Sequence, residues 1–486
     1  MRWRFSSWKV SAIPRRASLR IGESGGQWTL GLKMNEGRVR RRNEQALGRL
    51  TACCCALAIA CGKTEDSAGG WTPGGASAGE SASVAGGGAG AASAGSATSL
   101  AGGSGANGAN GGGTAGRVGD SGSCAPSAVY WQFGRNEDSP PPRQPEYTDA
   151  KEIGVDVSEG IYVGGTTQSA LQGPLKGTVD LYVRKYDQNG TVLWTLQWGE
   201  GGTNYFGGLA VEANGNFYVA GQNADSEVTS HYINKYDSNG QLLRAQSGSR
   251  PDVIAVDTGA NLYVVDHAGG AFSELHKYDS GGHAEWTTPF GVRNIESSSD
   301  AAIDATGNVY VASNTRGIIQ NPGDGKPNGR LYKFDRSGSL IWSEQFPGPS
   351  RLGVSGVAVD PKGNVYIVGS TDGALGEDAF IRKYDSSRSV LWTRQFRAST
   401  LRSVRVDALG NPHVSGTTAD PLDPSPSSAP GGFVRKYDPN GALQWTTQCS
   451  PDVTTDLPSL AIGDSGNVYA AGISYSKALV VKVGAR

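Results

Sequence analysis

Six cysteines, five histidines and a set of regularly placed aspartates are the residues of this 486-residue chain whose types could do chemistry. Cys53, Cys54, Cys55 and Cys61 crowd into one short stretch. A tetrahedral zinc site spaces its thiolates in separated Cys-x-x-Cys pairs, so this contiguous run is not expected to hold a metal. The histidines, His231, His267, His276, His283 and His413, form no HExxH motif and no close His/Asp cluster of catalytic spacing. His413 stands where sister segments carry Tyr, which reads as core packing. Gly-Asp-Ser-Gly occurs at 119–122 and 463–466. The first copy lies in a glycine-rich stretch and the second in a turn without a matching His/Asp framework, and a triad is defined by geometry rather than by four letters. Asp187, Asp237, Asp279, Asp335, Asp385 and Asp438 each open a D-x-x-G-like turn. Asp187-Gln188-Asn189-Gly190 faintly echoes a calcium loop, but the later carboxylates such a loop requires are replaced by Thr191, Val192, Leu193 and Trp194. Aspartates close turns with their own side chains, and that is the role expected here. No catalytic residue, metal ligand or cofactor is expected.

The elements that position these residues repeat. The motif V-D-x-x-G-N-V-Y-V-x-G recurs seven times, its aromatic position falling on Tyr162, Tyr218, Tyr263, Tyr310, Tyr366, His413 and Tyr469, a period of about 51 residues. Between the copies runs K-Y-D-x-x-G-x-x-L-W-T-x-Q, starting at Lys185, Lys235, Lys277, Lys333, Lys383 and Lys436. Apolar and polar residues alternate with period 2, as in Val192-Leu193-Trp194-Thr195-Leu196-Gln197, which predicts half-buried strands. Asn189-Gly190, Asn239-Gly240 and Asn440-Gly441 predict hairpin turns. Each repeat therefore holds four strands: a ends in V-D, b is G-N-V-Y-V, c ends in K-Y-D and d is L-W-T-x-Q. Four strands per 40–50 residues is the sequence pattern of a β-propeller. The seventh repeat stops after strand c, at Ala478–Val483, and the domain begins with an orphan d-like strand, Val129–Gly134. The prediction is an all-β, seven-bladed propeller of four-stranded blades, closed by this N-terminal strand, which completes the last blade and removes a free edge. Matching the orphan strand on Trp and matching it on Gln-Phe-Gly give registers two residues apart.

These in-phase copies resemble the SBBP family, bacterial seven-bladed β-propeller repeats, over almost all of 125–486. The resemblance implies the fold and an exported or surface setting. It implies no catalytic residues.

The flanks supply an address. Residues 1–61 carry 12 Lys/Arg against 3 Asp/Glu, while the remainder carries 32 against 42, so a formal charge of -1 hides a basic leader and an acidic body. Nucleic-acid binding needs a clustered basic surface and is not expected. No apolar run reaches the roughly 18 residues of a membrane-spanning helix. Leu50–Ala60 is an uncharged apolar stretch behind Arg38, Arg40, Arg41, Arg42 and Arg49, the pattern of a secretory signal. It ends Ala58-Ile59-Ala60-Cys61 and resembles a bacterial lipobox, although Ala and Ile depart from its usual first two positions. The resemblance makes Cys61 the lipidated N-terminus. Met34 is an alternative start that gives a signal of ordinary length. In residues 62–123, 45 of 62 positions are Gly, Ala or Ser. Such a chain cannot offset the entropy of ordering, and as a flexible tether it would span about 40–47 Å. The expected domains are a leader at 1–61, a tether at 62–123 and the propeller at 124–486. Cys124 and Cys449 could form a disulfide in an exported compartment, although the strand order places them near opposite ends of their sheets.

The a–b and c–d turns share one face and are short and uniform. The b–c and d–a connections share the other and vary in length and chemistry. Function tends to sit on variable loops held by a rigid scaffold. Candidate ligand-binding residues on that face are Asp225, Glu227, His231, Asp266, His267, Asp324, Lys326, Asp372, Glu377 and Asp378. The expectation is a non-enzymatic, monomeric, lipid-anchored binding module that presents this face to a protein or glycan at the outer membrane or cell surface, on either side of that membrane. A structural surface component without a small ligand is the alternative. A channel-site enzyme such as a lyase or lactonase is a further one, and a bound divalent ion in the channel would favour it.

Overall fold

The computed structural model describes residues 18–24, 27–33, 128–133, 147–224, 229–247, 250–267, 272–291, 296–315, 328–346, 352–373, 376–422, 430–449 and 455–484. The chain divides into two compact units, 1–104 and 105–486. In the first, Ser18–Ser24 pairs antiparallel with Gln27–Lys33. The sequence reading of the leader did not foresee this hairpin. The signal was present: two alternating runs separated by Gly25-Gly26, a dipeptide suited to two-residue hairpin loops. Cys53, Cys54, Cys55, Cys61, Cys124 and the 62–123 segment lie outside the described residues. No helix among the described residues is long and apolar enough to cross a membrane.

The described residues of the second unit build β-strands and their turns. In the first repeat, Glu152–Val155, Ile161–Thr167, Asp180–Tyr186 and Val192–Trp198 pair in that order as an antiparallel a-b-c-d meander. The third repeat builds the same sheet from Pro251–Val256, Leu262–His267, Ser273–Tyr278 and Ala284–Phe290. The other repeats follow. The fourth and fifth sheets are bridged by a single parallel pairing, Asn328 to Leu352. The sheet of Asp456–Ile462, Val468–Ser474 and Lys477–Val483 takes Ala128–Phe133 as its fourth strand. In the first sheet Lys185 faces Trp194 and Tyr182 faces Gln197. In the last, Lys482 faces Val129 and Leu479 faces Gln132. The Gln-Phe match therefore fixes the register, and Trp131 occupies the place of Leu196. There it is buried and stacks on Tyr186 at 6.3 Å.

Burial follows strand position. Strands b and c of the first repeat are buried along their whole length, whereas strand d is largely half-buried or exposed. Apolar clusters fill the junctions between successive sheets. One joins Tyr162, Val183, Phe217 and Val219 of repeats one and two, and another joins Trp131, Ile161, Tyr182, Tyr469 and Val480 of repeats one and seven. The repeated aromatics serve these junctions. The Tyr162 hydroxyl shares its one proton between Asp156 Oδ2 (3.0 Å) and Gly215 O of the next repeat (2.8 Å). Trp194 Nε1 donates to Ser238 O, and Lys185 Nζ pairs with Asp156 at 3.2 Å.

Candidate functional site

The turn end of the sheets is built from carboxylates that serve their own backbone. Asp187 Oδ1 accepts from the N–H groups of Asn189 and Thr191, and Asp237, Asp335, Asp385 and Asp438 repeat the arrangement. At Asp279, Oδ1 accepts from the His283 N–H, and Oδ2 lies 3.0 Å from the His283 ring Nδ1. The a–b turns use a second set. Asp360 accepts from Lys362 N, Asn364 N and Nδ2 and Tyr366 OH, and its charge faces Lys383 at 3.6 Å. These bonds give the turn aspartates the turn-closing role expected of them.

The seventh repeat departs from this scheme, since Gly463 stands where the motif has Asp. A carboxylate arrives from elsewhere. Glu159, held at φ 61° in the first repeat, accepts from Ser465 N (2.9 Å) and Tyr469 OH (2.9 Å). A Cβ on Gly463 would meet the Glu159 carboxylate, so the glycine and the reaching glutamate require each other. This pair explains the second Gly-Asp-Ser-Gly: its glycine makes room, and its serine is a turn residue. Those backbone and hydroxyl donors hold the Glu159 carboxyl below the usual glutamate range against the effect of its partial burial.

Among the described residues, cavities accompany the sheets. One, about 610 Å³, is lined by the a strands, including Glu152, Asp252, Asp300 and Arg405. Glu152 Oε2 accepts from Leu209 N at 2.8 Å. Asp300 Oδ2 accepts from Val357 N at 3.1 Å and faces Arg405 Nη1 at 3.2 Å. Burial pushes the Glu152 carboxyl up to about 7, with Asp300 adding to the rise while the Leu209 N–H and Arg405 oppose it. This wall presents hydrogen-bonding groups of both charges to a polar guest. Another, about 620 Å³, lies at the turn end between repeats five and six, where Trp392, Arg394, Lys383 and the highly exposed Leu409 meet.

Of the predicted loop-end residues, His231 and Asp266 have described side chains. Asp225, Glu227, Asp324 and Lys326 lie outside the described residues. The backbones of Asp372, Glu377 and Asp378 form the b–c hairpin of the fifth repeat, with Asp372 facing Glu377. His267 ends strand b of the third repeat opposite Ser273. The side chains of these four are outside the described residues. Cys449 ends strand d of the sixth repeat, and its backbone pairs with that of Gly432. His231 is half-buried on strand c of the second repeat, its pKa held below the ordinary imidazole value first by burial and then by Arg250. Asp266 is fully buried.

Asp266 takes part in a His/Asp contact that its sequence spacing does not reveal. His276 Nε2 lies 2.7 Å from Asp266 Oδ2 and 3.6 Å from Glu274 Oε2, and its Nδ1 lies 2.9 Å from Thr287 Oγ1. Ten residues separate the pair in sequence, but the b–c hairpin pairs Asp266 with Glu274 and Val264 with His276, folding that distance away. Sequence reasoning named Asp266 and missed Glu274 and His276. The available signal was the repeat itself, because the position of Asp266 is glycine in five of the other copies and Ser313 in the sixth.

With this geometry in view, the SBBP β-propeller repeat family matches residues 341–377, spanning the fourth d strand, the fifth a–b hairpin and the start of the fifth c strand. The chain is a β-propeller repeat protein. Among curated proteins, regulatory protein FlaEY of Caulobacter vibrioides is 26% identical over 202 residues, 36% of this chain. The match spans only 20% of that protein's length. Among solved structures, the propeller resembles the Dos1 propeller, with a TM-score of 0.43 and 12% identity over 70% of this chain and 93% of that one. It also resembles a gluconolactonase from Xanthomonas campestris, with a TM-score of 0.37 and 13% identity over 57% of this chain and 86% of that one.

Proposed function

We propose that this propeller is an exported binding module, anchored by a lipid on Cys61 and holding out the b–c/d–a end of its sheets to a protein or glycan at a bacterial cell surface. In this reading the repeats form a ring of seven blades, with the N-terminal strand completing the last. The pairing of Ala128–Phe133 with Lys477–Val483 supports that closure, as do the Glu159 bonds to Ser465 and Tyr469. The observation that carries the choice of end is the use of the turn-end carboxylates: they are consumed by their own turns, whereas the connections at the opposite end differ from repeat to repeat in length and residue type. Ligand specificity then resides in the variable connections and stability in the uniform ones.

The test is a glycan array and a surface-protein pull-down with the full chain, comparing a triple loop-end variant (Asp372→Ala, Glu377→Ala, Asp378→Ala) with the turn-end variant Leu409→Ser. Binding lost in the first and kept in the second supports the reading. Binding lost only in the second moves the site to the turn-end cavity. Cys61→Ser is expected to release the protein from membranes, and unchanged fractionation would remove the anchor.

A second reading, chemistry in the channel, draws on Glu152, a carboxyl pushed up to about 7 beside Asp300 and Arg405. A hydrolase or lyase activity abolished by Glu152→Gln would favour it over pure binding.

A further inference from the structure

Three substitutions relative to the other repeats converge in the third one. Strand b normally carries glycine opposite a large residue of strand c: Gly165 faces Tyr182, Gly221 faces Tyr232, Gly369 faces Phe380 and Gly416 faces Phe433. In the first, fifth and sixth repeats a Cβ at that glycine would run into the backbone carbonyl of Asp149, Gly353 or Thr400. The third repeat instead places Asp266 opposite Glu274. Two residues further along strand c, the first, fifth and sixth repeats carry an arginine whose Nε donates to a strand-d threonine: Arg184 to Thr195 (2.7 Å), Arg382 to Thr393 (2.9 Å) and Arg435 to Thr446 (3.0 Å). The third repeat has His276 there, with Nδ1 on the equivalent Thr287 at 2.9 Å. A guanidinium has thus been exchanged for an imidazole held by the same threonine.

We propose that Asp266, Glu274 and His276 form a binding site for a divalent transition-metal ion of the zinc class on the third repeat. Their donor atoms lie within 4.8 Å of one another. An ion about 2.0–2.1 Å from each ligand needs donors roughly 3.3 Å apart, so the 2.7 and 3.6 Å separations around Nε2 require only small shifts. One imidazole nitrogen and two carboxylates suit zinc or manganese better than calcium, which prefers an all-oxygen shell of six to eight ligands. In a neutral ring protonated on Nε2, ion entry removes that proton to solvent and the ring takes one up on Nδ1, so the tautomer changes with no net loss of a proton. Thr287 can satisfy Nδ1 in either tautomer because its hydroxyl both donates and accepts. It is the outer partner that orients a metal-binding histidine. The side chain of Glu274 is 37% exposed and that of His276 14%, which leaves a path for the ion and a coordination position for water or a ligand group. The site stands independently of the binding-module reading, although it adjoins the b–c connection.

The test is calorimetric titration of the EDTA-treated full chain with zinc chloride, in parallel with Asp266→Asn, Glu274→Gln, His276→Asn and the control His283→Ala. The expected result is a saturable one-to-one site, weakened at least tenfold by each of the first three changes and unaltered by the control. Thr287→Val is expected to weaken it about 10–100-fold. Glu274 is on the surface, so Glu274→Gln keeps the test valid if a buried variant misfolds. Absence of saturable binding, or binding unchanged in Asp266→Asn and Glu274→Gln, which would place the zinc on the cysteines, overturns the proposal.

Discussion

The two ends of the repeat sheets are made of similar residue types put to opposite uses. At the turn end, carboxylates are saturated by backbone N–H groups two and four residues on, and by lysines and tyrosines of the same sheet. At the other end, the third repeat directs a buried aspartate, a glutamate and a histidine at one another. Saturated carboxylates fix geometry, while converging ones are available for a guest. Changes at the turn end should therefore cost stability and spare binding, and changes at the loop end should do the reverse.

The largest expected effect is Asp360→Ala. Asp360 and Lys383 are both buried, and removing one partner of a buried pair typically costs about 3–5 kcal/mol. Chemical denaturation should show that loss, and a loss under 1 kcal/mol would break the contrast between the ends.

Next comes His413, which replaces the repeat tyrosine. Burial, with Lys436 adding to it, lowers its pKa from 6.5 to about 4. The unfolded chain takes up this proton first on acidification. The contribution of neutral His413 is complete above pH 6.5 and is lost as the pH falls towards 4, by about 3 kcal/mol in total at 1.36 kcal/mol per pKa unit. His413→Tyr should flatten stability against pH in that window, as followed by thermal melts. Glu152 works in the opposite sense. Its raised pKa favours folding at low pH, and that advantage fades as the pH rises from 4.5 towards 7. Glu152→Gln should therefore stabilise the protein at pH 8 and have little effect at pH 4.

A smaller effect is expected at the junction of repeats one and seven. Glu159→Ala removes the acceptor of Ser465 N and Tyr469 OH and should cost about 1–3 kcal/mol. Gly463→Asp alone should also destabilise, because its side chain meets the Glu159 carboxylate. The double variant should recover part of the loss by restoring the turn aspartate in place. Additive losses in this cycle would show that the two positions do not act on each other. The smallest effect on stability belongs to Glu274→Gln, within about 0.5 kcal/mol as for an ordinary surface change.

Much of the fold was legible because repetition multiplies weak signals. A single V-D-x-x-G-N-V-Y-V segment is an ambiguous hairpin, whereas in-phase copies fix strand order, turn type and the role of the turn aspartates. The register of Val129–Phe133 was not legible, since two short matches competed. The packing of Trp131 against Tyr186 goes with the Gln-Phe alternative. The candidate sites were legible only in part. Asp266 could be named as a polar loop-end residue, but its partners lie across a hairpin whose register no local motif encodes.

The sequence by itself determined the four-strand repeat, the uniform turn end and the basic, apolar and glycine-rich character of the first 123 residues, because these depend on residue type and short-range period. Only the tertiary structure decided that Glu159 supplies the carboxylate that Gly463 lacks, that Asp266, Glu274 and His276 converge, and that Glu152 meets Asp300 and Arg405 in one cavity. Each of these depends on distances that no short-range period encodes, because sheet register and the packing of neighbouring sheets set them.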